Sequence, residues 1–274
     1  MTAYLSICAI YRNEAPYLRE WIEFHRLVGA ERFFLYNNNS TDDHERVLAP
    51  LVRDGTVVVR DWPMFPGQRA AYDHTLQEHR DDSRWIAFID IDEFLYAPKE
   101  PALPDVLARY ERWPGLGVNR LRFGTSGHRT PPAGLVIENY VHRAPKSRYL
   151  VKSVVDPRRT SRCLTAHVFA YVEGHAVDER ERPLVHADDA PPELPPENAS
   201  LTERFSVGRL CINHYATRSE EEFRRKVQRA QADTGRTIAK PIPVERVLEN
   251  FNMQRDETLL RYVPALREAV QRES

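Results

Sequence analysis

Apolar positions in the first hundred residues alternate between the period of a strand and the period of a helix. Side chains such as Leu18, Trp21 and Ile22 recur at helical spacing, and Gly29 and Gly55 follow two such stretches as C-terminal stops. Strands that alternate with short helices are typical of a parallel sheet covered by helices on both faces. The predicted strands are Tyr4 to Ile10, Phe33 to Tyr36, Val57 to Arg60 and Trp85 to Ile89, and helical spacing falls between Leu18 and Val28, Val47 and Val52, and Gln68 and Arg80.

The second half of the chain is less regular. A run rich in proline and acid, from His186 to Ser200, is typical of a loop or a mobile flap. Ser219 and Glu222 have the spacing of a capping box and predict the start of a helix, and an amphipathic tail begins at Val244. The predicted strands of this half are Val118 to Phe123, Leu135 to Val141, Tyr149 to Val155 and His167 to Val172.

Composition and charge narrow the class of protein. The 274 residues, 42% apolar and 29% charged, are typical of a globular chain with a large core. A net charge of -1 gives no general field that would recruit nucleic acid, so we expect no nucleic-acid partner. No apolar run reaches the roughly 18 residues of a membrane span, and the three scattered cysteines form no zinc motif and cannot all pair. We expect a cytoplasmic protein without a transmembrane segment, with peripheral contact at the inner face of a membrane as the alternative.

Three polar clusters follow predicted strands, at the ends where open α/β sheets bind ligands. They are YRNE (Tyr11 to Glu14), NNNSTDD (Asn37 to Asp43) and DIDE (Asp90 to Glu93). The carboxyl ends of parallel strands share one edge of the sheet, so we expect the clusters to lie side by side. The side chains of the second cluster can hydrogen-bond a base or a ribose. The simpler interpretation is that Asn, Ser and Asp form turns, and that Asn13 caps a helix with Pro16 in its first turn.

The DIDE cluster places two aspartates one residue apart, directly after an apolar strand. Asp90 and Asp92 can bind a hard divalent ion together with substrate phosphates, because magnesium and manganese favour oxygen ligands. The alternative is a strand that runs into a solvated acidic turn. The buried character of WIAFI favours the ligand site, since open sheets bind ligands at the ends of such strands.

The order of these motifs resembles glycosyltransferase family 92 and its bacterial relatives among family-2-like enzymes. The resemblance covers residues 4 to 230 and includes ICAIYRNEAPYLREWIEFHRLVGAERFFLYNNNSTDD, WIAFIDIDEFL, FGTSGH, YLVKSVV, AHVF and NHYATRSEEEFRRK. It implies a GT-A fold with an acceptor-side β segment and C-terminal helices. It also implies transfer of a sugar from a nucleotide sugar, UDP-linked, to a hydroxyl of a glycan or another acceptor, with inversion and with Mn²⁺ or Mg²⁺ as cofactor.

The resemblance also implies a division of the chain and roles for individual residues. Residues 1–240 would form the glycosyltransferase domain, with 1–96 binding the nucleotide sugar and 97–240 the acceptor, and 241–274 would form a helical tail. Asp90 would face the nucleotide and join Asp92 and His214 at the metal. Apart from the resemblance, Lys152 and Arg218 can pair with diphosphate oxygens, because Arg forms bidentate contacts and Lys a point contact. The expected nucleotide-sugar-binding residues are Tyr11, Arg12, Asn13, Glu14, Asn37, Asn38, Asp42, Gln68, Asp90 and Lys152.

An inverting transfer needs a carboxylate to take the proton of the acceptor hydroxyl. Glu138 is the first candidate, because it follows the FGTSGH loop and precedes the strand that carries Lys152. Asp188 and Asp189, in the proline-rich run, are the alternatives. For each of them a solvated surface carboxylate is the simpler interpretation.

Three other functions use similar parts. A nucleotidyltransferase acting on a sugar phosphate shares the sheet and the metal, but its first strand is usually followed by a Gly-rich basic loop, and here the chain reads YRNEAP. A phosphatase with an Asp-x-Asp nucleophile would carry the pair after its first strand, whereas here it follows the fourth. A catalytically inactive sugar-binding relative is the non-enzyme alternative, and the intact pair Asp90 and Asp92 argues against it.

Overall fold

A computed structural model describes residues 2–145, 150–184, 201–228, 235 and 244–272. The strands are β1 (Ala3–Tyr11), β2 (Arg32–Asn37), β3 (Val57–Asp61), β4 (Ser83–Phe88), β5 (Glu93–Tyr96), β6 (Gly115–Arg122), β7 (His142–Arg143), β8 (Val151–Val155), β9 (Thr160–Thr165), β10 (Val168–Tyr171), β11 (Ala176–Asp178), β12 (Cys211–His214) and β13 (Gln254–Arg255). The helices are α1 (Ala15–Leu27), α2 (His44–Arg53), α3 (Gln68–Glu78), α4 (Leu103–Leu107), α5 (Val136–Asn139), α6 (Glu220–Val227), α7 (Val244–Phe251) and α8 (Val263–Gln271), and 3₁₀ turns cover Ala108–Tyr110, Pro157–Arg159 and Thr258–Tyr262.

Within the described residues, the central sheet has nine strands in the order β3-β2-β1-β4-β8-β6-β12-β5, with β11 beside β6. The four strands β1 to β4 are parallel to one another, as the alternation of strands and helices predicts. Strand β8 then enters antiparallel between β4 and β6, and β5 pairs antiparallel with β12. The predicted α/β class with a mostly parallel sheet is confirmed.

Helices cover both faces of the parallel half. Helices α1 and α2 pack on one face through Trp21, Phe24 and Leu48, within the larger apolar cluster. Helix α3 and the β9–β10 hairpin cover the other face, where Tyr72, Phe88 and other aromatic and aliphatic side chains form a second cluster. The inner strands β1, β2 and β4 are buried on both faces and are apolar almost throughout, whereas the edge strand β3 is largely exposed after Val57.

The C-terminal tail packs into the same core as the rest of the chain. Leu259 and Leu266 are buried in the larger cluster, and the short strand β13 pairs with β7. The division into residues 1–240 and 241–274 stays a prediction. In the described part of the chain, none of the helices has the length and apolar content needed to cross a bilayer.

Two local predictions need correction. The segment Leu135 to Val141, predicted as a strand, contains the short helix α5, because the carboxylate of Glu20 accepts the amides of Val136 (2.8 Å) and Ile137 (3.1 Å) and so stabilises a helical first turn. Helix α1 has Glu14, not Asn13, at its N-cap position. The capping box of Ser219 and Glu222 is confirmed at the start of α6, and the proline-rich run 186–200 lies outside the described residues.

Candidate active site

The carboxylates of DIDE lie in a tight turn between β4 and β5. The amide of Glu93 donates to the carbonyl of Asp90 (3.0 Å), and the amide of Asp90 donates to Oε2 of Glu93 (3.0 Å). This reciprocal pair fixes the turn so that three acidic side chains emerge at one end of the parallel strands. Asp90 and Asp92 therefore lie at the carboxyl edge of the parallel strands, the position that the sequence predicts.

Asp90 is held by two neighbours from different elements. Nε2 of Gln68, the first residue of α3, donates to Oδ1 of Asp90 at 2.9 Å. Nζ of Lys152, on β8, lies 2.8 Å from Oδ2 of Asp90 and is only 1% exposed. Both oxygens of Asp90 are thus engaged by protein groups, and the structure brings together three of the residues predicted to bind the nucleotide sugar.

Glu93 is a fully buried member of the cluster. Its Oε1 accepts from Nη1 of Arg120 at 2.6 Å, and Nζ of Lys152 is 3.7 Å from its Oε2. Burial alone would raise the pKa of Glu93, but the positive charges of Lys152 and Arg120 lower it below its usual value. Glu93 is therefore a charged residue that anchors Lys152 and Arg120.

Asp92 faces a histidine and a lysine from the second half of the chain. Nε2 of His214, the last residue of β12, lies 3.5 Å from Oδ2 of Asp92, and Nζ of Lys226 on α6 donates to the same oxygen. The carbonyl of Asp92 accepts the amide of Tyr215, which fixes the loop after β12 against the turn. Although burial opposes ionisation, Lys226 and His214 hold the pKa of Asp92 well below its usual range, so the carboxylate is ionised at neutral pH.

Arg218 borders the same cluster in a strained conformation. Its backbone has a φ of +49°, a region that non-glycine residues seldom occupy away from functional sites. The guanidinium donates to Glu14 at 2.8 Å and stacks on the ring of Tyr17 at 3.5 Å. The residue is 8% exposed, and its buried Nε has no hydrogen-bond partner. The Nε–H is thus a buried donor without a protein acceptor among the described residues.

Most of the polar residues after β1 and β2 hold the two loops together. Oδ1 of Asn13 accepts the amide of Thr41 (2.7 Å), and Oδ2 of Asp42 accepts the amide of Ala15 at the start of α1 (2.8 Å). Nδ2 of Asn38 donates to the carbonyls of Trp62 and Met64. The predicted binding residues are thus gathered at one edge of the sheet, where several shape the surface through backbone contacts.

The remaining residues of this predicted group differ in exposure. The hydroxyl of Tyr11 lies 2.8 Å from Nδ1 of His44, and the amide of Asn37 donates to Asp61 at the end of β3. Arg12 is exposed. The binding roles of all these residues stay predictions.

Glu138 has contacts that belong to local structure. Its Oε1 accepts the amide of Leu135 (2.9 Å), and its Oε2 pairs with Nη2 of Arg267 on α8 (2.6 Å). None of the described contacts joins it to Asp90, Asp92 or His214. The role of Glu138 as the base stays a prediction, and the alternatives Asp188 and Asp189 lie outside the described residues.

The donor set around Asp92 suits a divalent ion with few protein ligands. Among the residues described here, no group of three His, Cys, Asp or Glu side chains has the arrangement of a metal site. Asp92 and His214 nevertheless present a carboxylate oxygen and an imidazole nitrogen to one point, and a cationic group already lies on that oxygen. These residues fit Mn²⁺ or Mg²⁺ that takes its other ligands from diphosphate and water. Asp90 is turned toward Lys152 and Gln68 instead.

Sequence patterns indicate no role for three charged members of the cluster. Glu93 is part of the DIDE motif, and its place one residue after Asp92 was the only signal for it. Arg120 stands inside the apolar predicted strand from Val118 to Phe123, where a buried charge requires a partner. Lys226 is one of several charges on an amphipathic helix, and nothing in its spacing distinguishes it.

Comparison with known proteins assigns the chain to a family. The model of the family described as "Glycosyltransferase family 92" matches residues 3–238. The chain belongs to glycosyltransferase family 92. The predicted resemblance is therefore confirmed, and the matched range contains every residue of the cluster described above.

Individual members of family 92 show the same relationship. A family 92 protein of Oryza sativa subsp. japonica is 37% identical over 177 residues, which cover 62% of this chain and 30% of the rice protein. A family 92 protein of Arabidopsis thaliana is 32% identical over 243 residues, covering 83% of this chain and 38% of its own length. A galactan beta-1,4-galactosyltransferase of Arabidopsis thaliana is 27% identical over 124 residues, which are 41% of this chain and 24% of that protein. The chain therefore spans well under half of these relatives.

Solved structures with a partly similar fold are more distant in sequence. TarS 1-349 of S. aureus in complex with UDP has a TM-score of 0.39 and 13% identity, covering 56% of this chain and 47% of that one. Glucosyl-3-phosphoglycerate synthase from Mycobacterium tuberculosis has a TM-score of 0.34 and 14% identity, with 58% of each chain covered. Similarity at this level does not bear on function.

Proposed function

We propose that this chain is a glycosyltransferase of GT-A type. It transfers a sugar from a UDP-linked nucleotide sugar to a hydroxyl of a glycan or another acceptor. The transfer inverts the anomeric centre and requires bound Mn²⁺ or Mg²⁺. The observation that carries the proposal is the cluster of Asp90, Asp92, Lys152 and His214 at the carboxyl edge of the parallel strands, within a family 92 chain. Open α/β sheets bind their ligands at this edge.

The nucleotide is expected over the ends of β1 and β2. Tyr11, Asn37 and Asp61 line these ends, and the loops that follow are fixed by Asn13, Asn38 and Asp42. A rigid, preformed polar surface lowers the ordering cost of ligand binding. This arrangement supports a site for the base and ribose, with the diphosphate directed toward Asp92.

The positive groups of the cluster support stabilisation of the charge that would develop on the leaving diphosphate. Lys152 is buried and fixed by two carboxylates, and the unpartnered Nε of Arg218 offers a further donor. Asp92 and His214 would hold the divalent ion, which when bound stabilises negative charge on the diphosphate. Fixed groups of this kind contribute most because they need no reorganisation during the reaction.

The acceptor hydroxyl must lose a proton to a carboxylate on the side opposite the diphosphate. In a single displacement, the hydroxyl oxygen forms a bond to the anomeric carbon while the bond from that carbon to the diphosphate oxygen breaks, and the anomeric configuration inverts. Glu138, Asp188 and Asp189 are the candidates for that carboxylate that the sequence offers. The contacts of Glu138 with Leu135 and Arg267 favour a structural role for it, so Asp188 and Asp189 are the preferred candidates.

A screen of nucleotide sugars with added Mn²⁺ tests the proposed function directly. Transfer, or slow hydrolysis without acceptor, should release a nucleoside diphosphate and should decline when the ion is chelated. A nucleotidyltransferase would instead release pyrophosphate from a nucleoside triphosphate and a sugar phosphate. Release of pyrophosphate, or the absence of any nucleotide-sugar turnover across a full donor panel, would contradict the proposal.

A further inference from the structure

Oδ2 of Asp92 is shared by a histidine and a lysine. His214 Nε2 lies 3.5 Å from it, and the ammonium of Lys226 donates to it as well as to the carbonyl of Ala216 (3.2 Å). Because Oδ2 is the oxygen of Asp92 that faces Nε2 of His214, a divalent ion bound by both residues would take this same oxygen. Lys226 and the ion therefore compete for one atom.

The two lysines of the cluster differ in how firmly they are held. Lys152 is 1% exposed and lies between Asp90 and Glu93, whereas the side chain of Lys226 is 51% exposed. Helix α6, which carries Lys226, has no buried residue. Because half of the Lys226 side chain is exposed, its ammonium can return to solvent once another cation has taken its place at Asp92. Lys152 is buried and would leave its partners only at the cost of unpaired buried charges.

The ion pairs of the cluster are balanced in charge. In the described part of the chain, the four carboxylates of Glu14, Asp90, Asp92 and Glu93 pair with the four cations of Arg120, Lys152, Arg218 and Lys226. A divalent ion that enters alone adds unbalanced positive charge, and a diphosphate that enters alone adds negative charge. When the ion and the diphosphate enter together, their opposite charges compensate each other. Lys226 is then free to pair with a diphosphate oxygen.

We propose that Lys226 is a built-in counter-cation that excludes a free divalent ion from Asp92 and yields when ion and diphosphate arrive together. The part of the inference that concerns the diphosphate rests on the proposed function. Its consequence is positive coupling between the ion and the nucleotide, so that the metal site is loaded only with the donor. Lys226 is in this sense a positioning residue, because it acts through Asp92 and the diphosphate.

Calorimetric titration of the full chain with MnCl₂ alone tests the competition. We expect Lys226→Gln to bind Mn²⁺ about tenfold more tightly than the wild type, within the 5- to 150-fold range that is typical when one bound group changes the affinity for another. Lys226→Arg keeps the charge and should bind as weakly as the wild type. Arg225→Gln is the matched control. Arg225 lies on the same helix, but its Nη2 donates to Oε1 of Glu221 at 2.9 Å and not to Asp92. Equal Mn²⁺ affinity in the wild type and Lys226→Gln, including no binding by either, overturns the proposal.

Titration with UDP in the presence and absence of Mn²⁺ separates this inference from the proposed function. In the wild type, Mn²⁺ should tighten UDP binding by a larger factor than in Lys226→Gln, and an equal factor overturns the coupling. If UDP binds to none of the proteins, the proposed function fails, whereas the titrations with MnCl₂ alone still decide whether Lys226 competes for Asp92. Tighter Mn²⁺ binding by Lys226→Arg, equal to that of Lys226→Gln, would also overturn the competition.

Discussion

Nζ of Lys152 lies 2.8 Å from Oδ2 of Asp90, at the point where an antiparallel strand meets the end of a parallel one. Strand β8 runs beside β4 with Ser153 opposite Phe88, so Lys152 comes level with the turn that follows β4. The lysine is buried, and Glu93 is its second anion. The acidic turn of the family 92 chain is thus neutralised from within the sheet.

Removal of the Lys152 ammonium should strongly destabilise the protein. Lys152→Met leaves Asp90 and Glu93 without their shared cation, and loss of one partner of a buried ion pair costs roughly 3–5 kcal/mol. Urea unfolding followed by circular dichroism measures the free energy of unfolding. Lys99→Met, at an exposed position, is the control and should change little. A cost for Lys152→Met below about 1 kcal/mol, as for a surface pair, would contradict this account of the cluster.

Asp92→Asn should remove the effect of the divalent ion while the fold persists. The amide cannot supply the negative charge that Mn²⁺ or Mg²⁺ needs, so we expect turnover of the nucleotide sugar to fall by about 100-fold or more, the usual cost of losing electrostatic stabilisation. Nucleoside diphosphate binding in the presence of Mn²⁺ should weaken as well. Activity assays on a Mn²⁺ series check both effects.

The control for Asp92→Asn is Asp81→Asn. Asp81 is exposed, pairs with the exposed Arg158 at 3.0 Å and lies before β4, at the end of that strand opposite to the DIDE turn, so its loss should leave turnover unchanged. Full activity of Asp92→Asn at every Mn²⁺ concentration would remove Asp92 from the proposed metal site.

The alternation of apolar runs predicts β1 to β4 and the helices between them, because the inner strands β1, β2 and β4 are buried on both faces and the helices pack one face against them. The same pattern places Asp90 and Asp92 at the ligand-binding edge. It cannot place β8 between β4 and β6, because periodicity carries no information about which strands pair. The partners Lys152, Arg120 and Lys226 come from segments far away in the chain, so local patterns contain no information about their distance from the acidic turn.

Short elements were harder to predict for a similar reason. Val136 and Ile137 are β-branched and favour a strand by local propensity. The carboxylate of Glu20, on α1, accepts their amides and decides the helical conformation of α5 instead. A contact over more than a hundred residues thus overrides the local preference, and no window of the sequence contains both partners.

Glu20 should make the stability of the protein depend on pH. Burial raises the pKa of Glu20 to about 7; the neighbouring Glu138 adds to the rise, and the amides of Val136 and Ile137 and the charge of Arg218 oppose it. The folded protein therefore keeps a proton that the unfolded chain, with its ordinary pKa of 4.5, has lost. The stabilisation from this proton is complete below pH 4.5 and is lost as the pH rises through about 7.

The variant Glu20→Gln removes that titration. Between the two pKa values, the free energy of unfolding of the wild type should fall relative to Glu20→Gln, by at most about 1.4 kcal/mol per pH unit. Urea unfolding at a series of pH values measures the difference. Glu45→Gln, at an exposed position, should keep the slope of the wild type. Parallel curves for the wild type and Glu20→Gln would show that Glu20 does not titrate in this range.

The contacts of Glu138 change the outcome expected for the variant that tests the base. The sequence alone predicts that Glu138→Gln binds metal and donor normally and loses turnover by about 100-fold, the usual value of general-base catalysis. In the structure, Oε1 caps Leu135 and Oε2 pairs with Arg267, whose side chain is 60% exposed. Glutamine keeps the cap and loses an ion pair worth about 1 kcal/mol or less. We therefore expect turnover within about threefold of the wild type, far from the loss of a base.

Arg267→Gln is the matched control, because it breaks the same ion pair and leaves the carboxylate of Glu138 in place. If the role is structural, the two variants lose a similar, small amount of stability and both keep their turnover. If Glu138 is the base, only Glu138→Gln loses turnover, by about 100-fold or more, while Arg267→Gln stays active. Asp188→Asn and Asp189→Asn, assayed with the same donor, test whether one of these aspartates is the base instead. The base must be the carboxylate whose neutralisation stops transfer but leaves binding of Mn²⁺ and nucleotide intact.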